Sequence, residues 1–308
     1  MRTRSMVEWL EIALTVDGEG AEAVAEVLRR FAHQGVAVEQ LFPGEAWEDE
    51  PLPPGPLRVM AYVPNNDHAP VVRREVEEAL YYLSRLYPIP TPAFRVIAEE
   101  DWAEAWKHHY HPIRIGERLL IKPAWVDVQA RPGEIVIEMD PGMAFGTGTH
   151  PTTQLCLQAM EWFARPGTCM VDLGTGSGVL AIAAAKLGCY RVLALDIDEG
   201  AVRAAQDNVV RNGVGDRVIV LHGSLDSLRT TARRFDLAVA NLTARIILDM
   251  LPQGLQHIIW PGGRFIFSGI IDEQAEEVAA ALDSTGLKLL GKRRMGDWVM
   301  LITQRQRP

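Results

Sequence analysis

The sequence predicts an α/β protein in two parts: a C-terminal doubly wound, mainly parallel sheet closed by an antiparallel hairpin, and a smaller N-terminal α+β part. Three observations carry this. From about residue 150 apolar strands and amphipathic helices alternate strictly, as a parallel sheet covered on both faces requires. The first 100 residues run instead as strand, helix, strand, strand, helix, strand. At 308 residues the chain is also too long for one typical compact domain and comfortable for two.

In the N-terminal part, residues 6–16 alternate like a strand, and 19–33 carry apolar positions at helical spacing before a Gly35 stop. Residues 36–42 read as a second strand, Pro43 to Pro56 as a Pro/Gly/acidic loop, and 57–63 as a third strand. A second amphipathic helix is expected over 68–86 and a fourth strand over 94–99. This is the β-α-β-β-α-β order of ferredoxin-like units. Residues 101–135, dense in Trp, Tyr and Pro and without long periodicity, read as an ordered linker. The expected boundaries are thus 1–100, a linker over 101–135, and 136–308. In the last part strands are expected at 168–173, 191–196, 217–222, 235–240 and 264–270, with helices at 178–187, 199–212, 243–258 and 272–285. The tail gives two more strands, 287–294 and 298–304, joined by a Gly-Asp turn without a helix between them. Methyltransferases add such a hairpin to the dinucleotide-binding plan.

Hydrophobic content of 48% and charged content of 23% describe an ordinary globular chain. No run of about 18 uncharged apolar residues occurs, and Glu8 and Glu11 interrupt the opening MRTRSMVEWLEI, so neither secretion nor membrane spanning is expected. Cys156, Cys169 and Cys189 are odd in number and widely spaced, which fits neither a disulfide framework nor a paired zinc pattern and suits a reducing cytoplasm. His108, His109 and His111 lack a companion ligand at helical spacing, so no metal is expected. No apolar seam is evident, and a monomer is expected. Net charge is −9, and residues 1–90 hold 8 Arg and no Lys against 15 acidic residues. Such a part would repel a phosphate backbone, so no direct nucleic-acid contact is expected, and it could steer a basic protein toward it. The same acidity equally serves solubility.

The chemistry is concentrated in Asp172-Leu173-Gly174-Thr175-Gly176-Ser177-Gly178, where an apolar strand ends and an apolar helix begins. Glycines permit a tight turn and let a ligand approach the backbone, while the helix start offers unpaired N–H groups. A dinucleotide fingerprint requires G-x-G-x-x-G, but position 179 is Val, and the acid at 172 precedes glycines at 174, 176 and 178. That spacing favours S-adenosylmethionine, and the lack of a following Gly-Lys-Ser/Thr rules out a P-loop. Asp196 ends the next strand twenty positions beyond Gly176, where a carboxylate can accept both ribose hydroxyls. Asp198 reads as a helix cap. Asn241 closes the fourth strand, where its amide can orient a neutral amine for attack on a methyl sulfonium, although a plain strand-end turn residue remains an alternative there.

The segment 140–153, DPGMAFGTGTHPTT, is too specific for a generic loop. Together with EDWAEAWKHHYHPIRIGERLLIKPAW at 100–125, the DLGTGSG turn, LDID at 195–198 and ANLTA at 240–244, it resembles the ribosomal protein L11 methyltransferase family, closely over residues 100–308 and by element order alone before them. The resemblance implies a Rossmann-like, S-adenosylmethionine-dependent enzyme that methylates lysine side chains and the N-terminal amine of ribosomal protein L11 and releases S-adenosylhomocysteine. It implies that the ferredoxin-like part recognises the substrate protein across a flexible linker. Cofactor contacts carried over by position are Thr153, Gly174, Asp196 and Asn241, with Gly176 and Asp172 in the same turn motif and Phe145 in a 145–150 loop over the methionine end. One departure is Thr243, where the family usually has an aliphatic residue two places after this Asn; it bears on the shape of the amine channel. Three other readings share some of these features: a family member directed at a different protein lysine, an NAD-dependent oxidoreductase using the same turn and Asp196, and a non-catalytic module that keeps the fold.

Overall fold

In the N-terminal part a period-two apolar pattern builds the sheet. The computed structural model describes residues 8–31, 36–40, 56–85, 87–98, 111–140, 148–229 and 233–307. The chain divides into two compact units, 1–110 and 111–308.

In the first unit strands β1 (Glu8–Val16), β2 (Val36–Gln40), β3 (Leu57–Pro64) and β4 (Ala93–Ala98) form an antiparallel sheet ordered β2-β3-β1-β4. Helices α1 (Gly18–Arg29) and α2 (Ala69–Ser84) supply the rest of its core. Leu10, Ile12, Leu14 and Val16 sit at alternate positions of β1 and therefore share one face. Against them lie Val24, Ala25 and Leu28 of α1 and Val76 and Leu80 of α2, at helical spacing. Asp17 starts α1 by accepting the Gly20 N–H at 2.8 Å, and Tyr87 donates to its other oxygen at 2.6 Å. Those bonds, Tyr87 first, hold the Asp17 carboxyl below its usual range. This is the ferredoxin-like order that the sequence predicts.

The second unit begins with a sheet that the sequence reading misses. Strands β5 (Ile113–Ile115), β6 (Leu119–Pro123) and β7 (Ile135–Met139) form a three-stranded sheet, of which β5 and β6 lie in the stretch read as linker. Its strands are only three to five residues long, too short to show a period, yet Leu119, Ile121, Ile137 and Met139 are buried in the unit's core. A helix is missed as well: α3 (Pro151–Phe163) starts at an unconventional cap, His150, with Pro151 in its first turn.

Then follow β8 (Cys169–Leu173), α4 (Val179–Leu187), β9 (Arg191–Asp196), α5 (Glu199–Arg211), β10 (Val218–His222) and α6 (Leu225–Arg229). After these come β11 (Phe235–Asn241), α7 (Ala244–Met250), β12 (Ile259–Ile271), α8 (Ala275–Ser284), β13 (Leu287–Met295) and β14 (Trp298–Arg305). The seven-stranded sheet is ordered β10-β9-β8-β11-β12-β14-β13; β8 to β12 are mutually parallel, and the terminal hairpin is antiparallel. Alternate strand residues point to opposite buried faces. Met170, Val192, Ala194 and Val239 meet α3, α4 and α5 on one side, while Val171, Leu173, Leu193, Phe265 and Phe267 meet α7 and α8 on the other. Two expected elements change length. The helix expected over 243–258 stops at Met250 because Pro252 offers no N–H and its ring opposes the carbonyl four residues back; a 3-10 turn, Leu255–Ile258, completes the span. Strand β12 begins five residues early, with an irregularity in its pairing opposite Phe235–Leu237 that takes up Pro261 and two glycines.

All three cysteines are free. Among the described residues no helix is long and apolar enough to cross a membrane, and no cluster of His, Cys, Asp and Glu is placed to hold a metal.

Leu28 is fully buried at the centre of the first unit. Leu28→Ala is expected to destabilise the chain by about 2–5 kcal/mol, read as a lower urea midpoint; a midpoint within error of wild type would mean that this core does not limit unfolding.

Candidate active site

The turn after β8 exists because three glycines adopt backbone angles that other residues rarely take: φ is +71° at Gly174, +54° at Gly176 and +83° at Gly178. A Cβ at Gly174 would stand 2.5 Å from Leu242 Cδ2, and one at Gly178 would meet Ala205 of α5 at 3.1 Å. The turn is held from the neighbouring strand, since Gly174 N and Thr175 N both donate to Leu195 O at 2.9 Å. Gly176 N donates to Asp196 Oδ2 at 2.9 Å, and Asp198 N donates to the other oxygen at 3.0 Å. Asp196 thus uses one bond at each oxygen. A carboxylate has about four acceptor positions, so it can still take further donors. Asp198 caps α5 by accepting the Gly200 N–H at 2.8 Å, as expected.

Asp172 lies under the turn, fully buried, where its Oδ2 accepts the Thr175 hydroxyl at 2.6 Å. Its pKa is pushed up to about 7, chiefly by burial, against the lowering effect of Thr175 and together with the raising effect of Asp196 nearby. That burial suits a support for the turn better than a direct ligand contact.

Across the strand ends, β11 delivers Asn241 and the first turn of α3 delivers Thr153. The Asn241 Nδ2 donates to Thr153 Oγ1 at 3.3 Å, and Thr153 is buried while Asn241 is partly open. Residues 88 positions apart are joined in this way. Leu242 turns back on Gly174, and Leu242 N donates to Ser268 O at 3.0 Å. Thr243 is exposed at the N-cap of α7 without a side-chain capping bond. Phe145 and the loop up to residue 147 lie outside the described residues, as do His108 and His109.

Two side chains at the site go unnoticed in the sequence. Asn208 of α5 is fully buried; its Nδ2 donates to Ser177 O at 3.0 Å, and its Oδ1 accepts the Asp140 N–H at 2.9 Å, joining the glycine turn to the end of β7. The signal is present in hindsight: 201, 205 and 208 share the apolar stripe of α5, and a polar residue on a buried stripe needs partners. His150 accepts the Thr152 N–H to cap α3, and its ring meets Trp298 edge-on with centroids 5.0 Å apart.

A model of the family described as "Ribosomal protein L11 methyltransferase (PrmA)" matches residues 8–306. Proteins named ribosomal protein L11 methyltransferase from Chloroflexus aurantiacus and Pelotomaculum thermopropionicum are 42% and 44% identical, each aligned over 96% of this chain and 98% of their own. A crystal structure of ribosomal protein L11 methylase from Lactobacillus delbrueckii subsp. bulgaricus superposes with a TM-score of 0.59 at 38% identity, covering 64% of this chain and all of that one. Sheet order, terminal hairpin, glycine turn and these relatives together define an S-adenosylmethionine-dependent methyltransferase. Within that class the chain belongs to the ribosomal protein L11 methyltransferase family.

Two outcomes test this geometry. Gly174→Ala is expected to cost roughly 1–3 kcal/mol of stability from backbone strain and contact with Leu242; adding Leu242→Ala should relieve the contact but not the strain, so full recovery in the double variant would overturn the account. A carboxyl whose folded pKa lies near 7, against about 3.9 unfolded, keeps its proton in the folded chain while the unfolded chain loses it. Stability therefore falls as pH rises from about 4 to about 7. Asp172→Asn should flatten that limb of a Tm-against-pH curve, and an unaltered slope would assign it to another group.

Proposed function

We propose that the chain transfers methyl groups from S-adenosylmethionine to lysine side chains and the N-terminal amine of ribosomal protein L11, in the cytoplasm and as a monomer, with the first unit gripping the substrate. The carrying observation is the convergence, at the C-terminal ends of β8, β9 and β11, of a bare glycine backbone, a carboxylate with acceptor capacity to spare, and the Asn241–Thr153 pair. Open α/β sheets bind ligands at this end.

The donor set fits S-adenosylmethionine. Asp196 keeps acceptor positions for ribose hydroxyls, and Val179 stands where the dinucleotide fingerprint needs its third glycine. S-adenosylmethionine supplies a methyl carbon already activated by its positive sulfur and departs as S-adenosylhomocysteine. Asp196 would accept the ribose hydroxyls, and Gly174 and Gly176 would let the nucleoside lie against the backbone. Asp172 and Thr175 would keep the turn in shape. The Asn241 carbonyl oxygen, left free by the bond that its Nδ2 makes to Thr153, would accept a hydrogen bond from the neutral amine and align its lone pair. Alignment is most of what the step needs, with the amine's proton lost to water before or during attack. The names of the relatives support L11 as the substrate, and the acidity of residues 1–90 suits a basic partner.

The test is incubation of the full chain with labelled S-adenosylmethionine and free L11, followed by mass spectrometry. Label in L11 at Lys and α-amino positions is expected, and label only in some other protein would refute the substrate. Asp196→Ala should weaken S-adenosylmethionine binding by roughly 1–3 kcal/mol, because ribose hydroxyls are left unpaired; unchanged affinity by calorimetry would mean that the ribose lies elsewhere. Thermal stabilisation by NADH and none by S-adenosylmethionine would overturn the cofactor.

A further inference from the structure

The end of the seven-stranded sheet remote from the site gathers basic residues. Register places a cation near this end of six of the seven strands, β8 being the exception. Arg217 precedes β10, and Arg191 opens β9 beside it, facing Cys169 of β8. Arg234 precedes β11, Arg305 ends the antiparallel β14, and Lys288 of β13 pairs with Gln304 beside it; Arg264, inside β12 and paired with Gln304, is turned onto the Phe163 ring at 4.9 Å. Six gaps between seven strands at ~4.8 Å make a row about 29 Å long.

Some of this charge is already engaged. Arg217 donates to Ala185 O and lies 3.7 Å from Asp216, and Arg305 donates to Ile259 O. Acids stand at this end as well: Asp216 beside Arg217, Asp236, which accepts the Cys169 N–H, and Asp283 shortly before β13. Arg305 Nη2 lies 3.2 Å from His257 Nδ1, and burial first, with Arg305 and Arg234 nearby, lowers the pKa of His257, which stays neutral; burial first, then Arg234, likewise lowers that of Arg305. Arg234 and Arg305 are like charges held near one another, an electrostatic cost that an anion would relieve.

Aromatic faces are interleaved with the cations. Tyr190 is 61% exposed with the Arg191 guanidinium over its ring at 5.6 Å, and Trp260, at the start of β12, is 50% exposed. Where the row ends, Lys288, Arg305 and Arg307 join Leu289, Leu290 and Gly262 around a groove of about 500 Å³, with basic groups beside apolar ones. Cations spaced along a track, with open aromatic rings between them, match the chemistry of a single-stranded nucleic acid: charged backbone, stackable bases. An acidic peptide would satisfy the charges and leave the rings unused.

We propose that this strand-start edge binds single-stranded RNA, with phosphates along the arginine and lysine row and bases against Tyr190, Trp260 and the Leu289–Leu290 groove. The edge lies at the opposite end of the sheet from Asp196 and Asn241, so it would act independently of methyl transfer. It differs from the expectation, drawn from the acidic N-terminal part, of no direct nucleic-acid contact.

The experiment is fluorescence anisotropy of a short labelled oligouridylate titrated with the full chain at low and at physiological salt. Binding that weakens steeply with salt is expected. The Lys288→Glu/Arg307→Glu pair should lose about tenfold or more in affinity, and Tyr190→Ala and Trp260→Ala about fivefold or more each, with S-adenosylmethionine affinity unchanged in all. Absence of binding at low salt overturns the proposal. So does binding that the aromatic variants leave intact while a heparin fragment or phosphatidylglycerol vesicles compete as well as RNA, since that would mark a generic polyanion surface.

Discussion

The hydrogen bond from Gly176 N to Asp196 Oδ2, 2.9 Å long, joins the tips of two adjacent parallel strands, and the geometry of the site follows from it. Because β8 and β9 are in register, with Leu173 opposite Leu195, the turn leaving one strand and the carboxylate ending the other must meet at the same height. The turn can curl that tightly only through three positive φ angles, and it closes on Leu195 O twice over. Asp172 then has no option but burial, and its proton affinity rises accordingly. The wall opposite is set in the same way by register: β11 runs beside β8, so Asn241 emerges one strand over, where the start of α3 presents Thr153 to it.

How much of this is legible in the sequence depends on the length of the signal. The alternation beyond residue 165 extends over enough residues for each apolar period to declare itself, and the glycines at 174, 176 and 178 name their own conformation. Asp196 is found by its distance from the turn. Beta strands of three to five residues at 113–123 are too short to show a period and are diluted by Pro and Arg, so they pass for linker although their side chains are core. The helix at 151–163 is hidden by its opening: a His cap and a Pro look like the end of a loop, and only the bond between His150 and the Thr152 amide makes them a beginning. Pairings across long separations, such as Asn241 with Thr153 or Asn212 with Glu138, have no local trace at all.

Charge shows the same division between what composition sums and what register arranges. A net charge of −9 describes the chain as acidic throughout. The fold sorts it, keeping carboxylates at the glycine turn and lining up arginines where the strands begin. In a parallel sheet strands start on the same side, so basic residues at the starts of several strands, such as Arg217, Arg191 and Arg234, unremarkable in any one of them, gather at one end of the sheet.

Asn208 shows how little freedom such an arrangement leaves. Its amide faces a carbonyl with its nitrogen and an N–H with its oxygen, and both partners are backbone that cannot be edited by substitution. Aspartate there would set oxygen against oxygen at Ser177, leucine would remove both bonds, and glutamine would overshoot by a methylene. One helix position therefore acts as a keystone between the turn and the strand end at Asp140, and drift at that position is closed off for as long as both are kept.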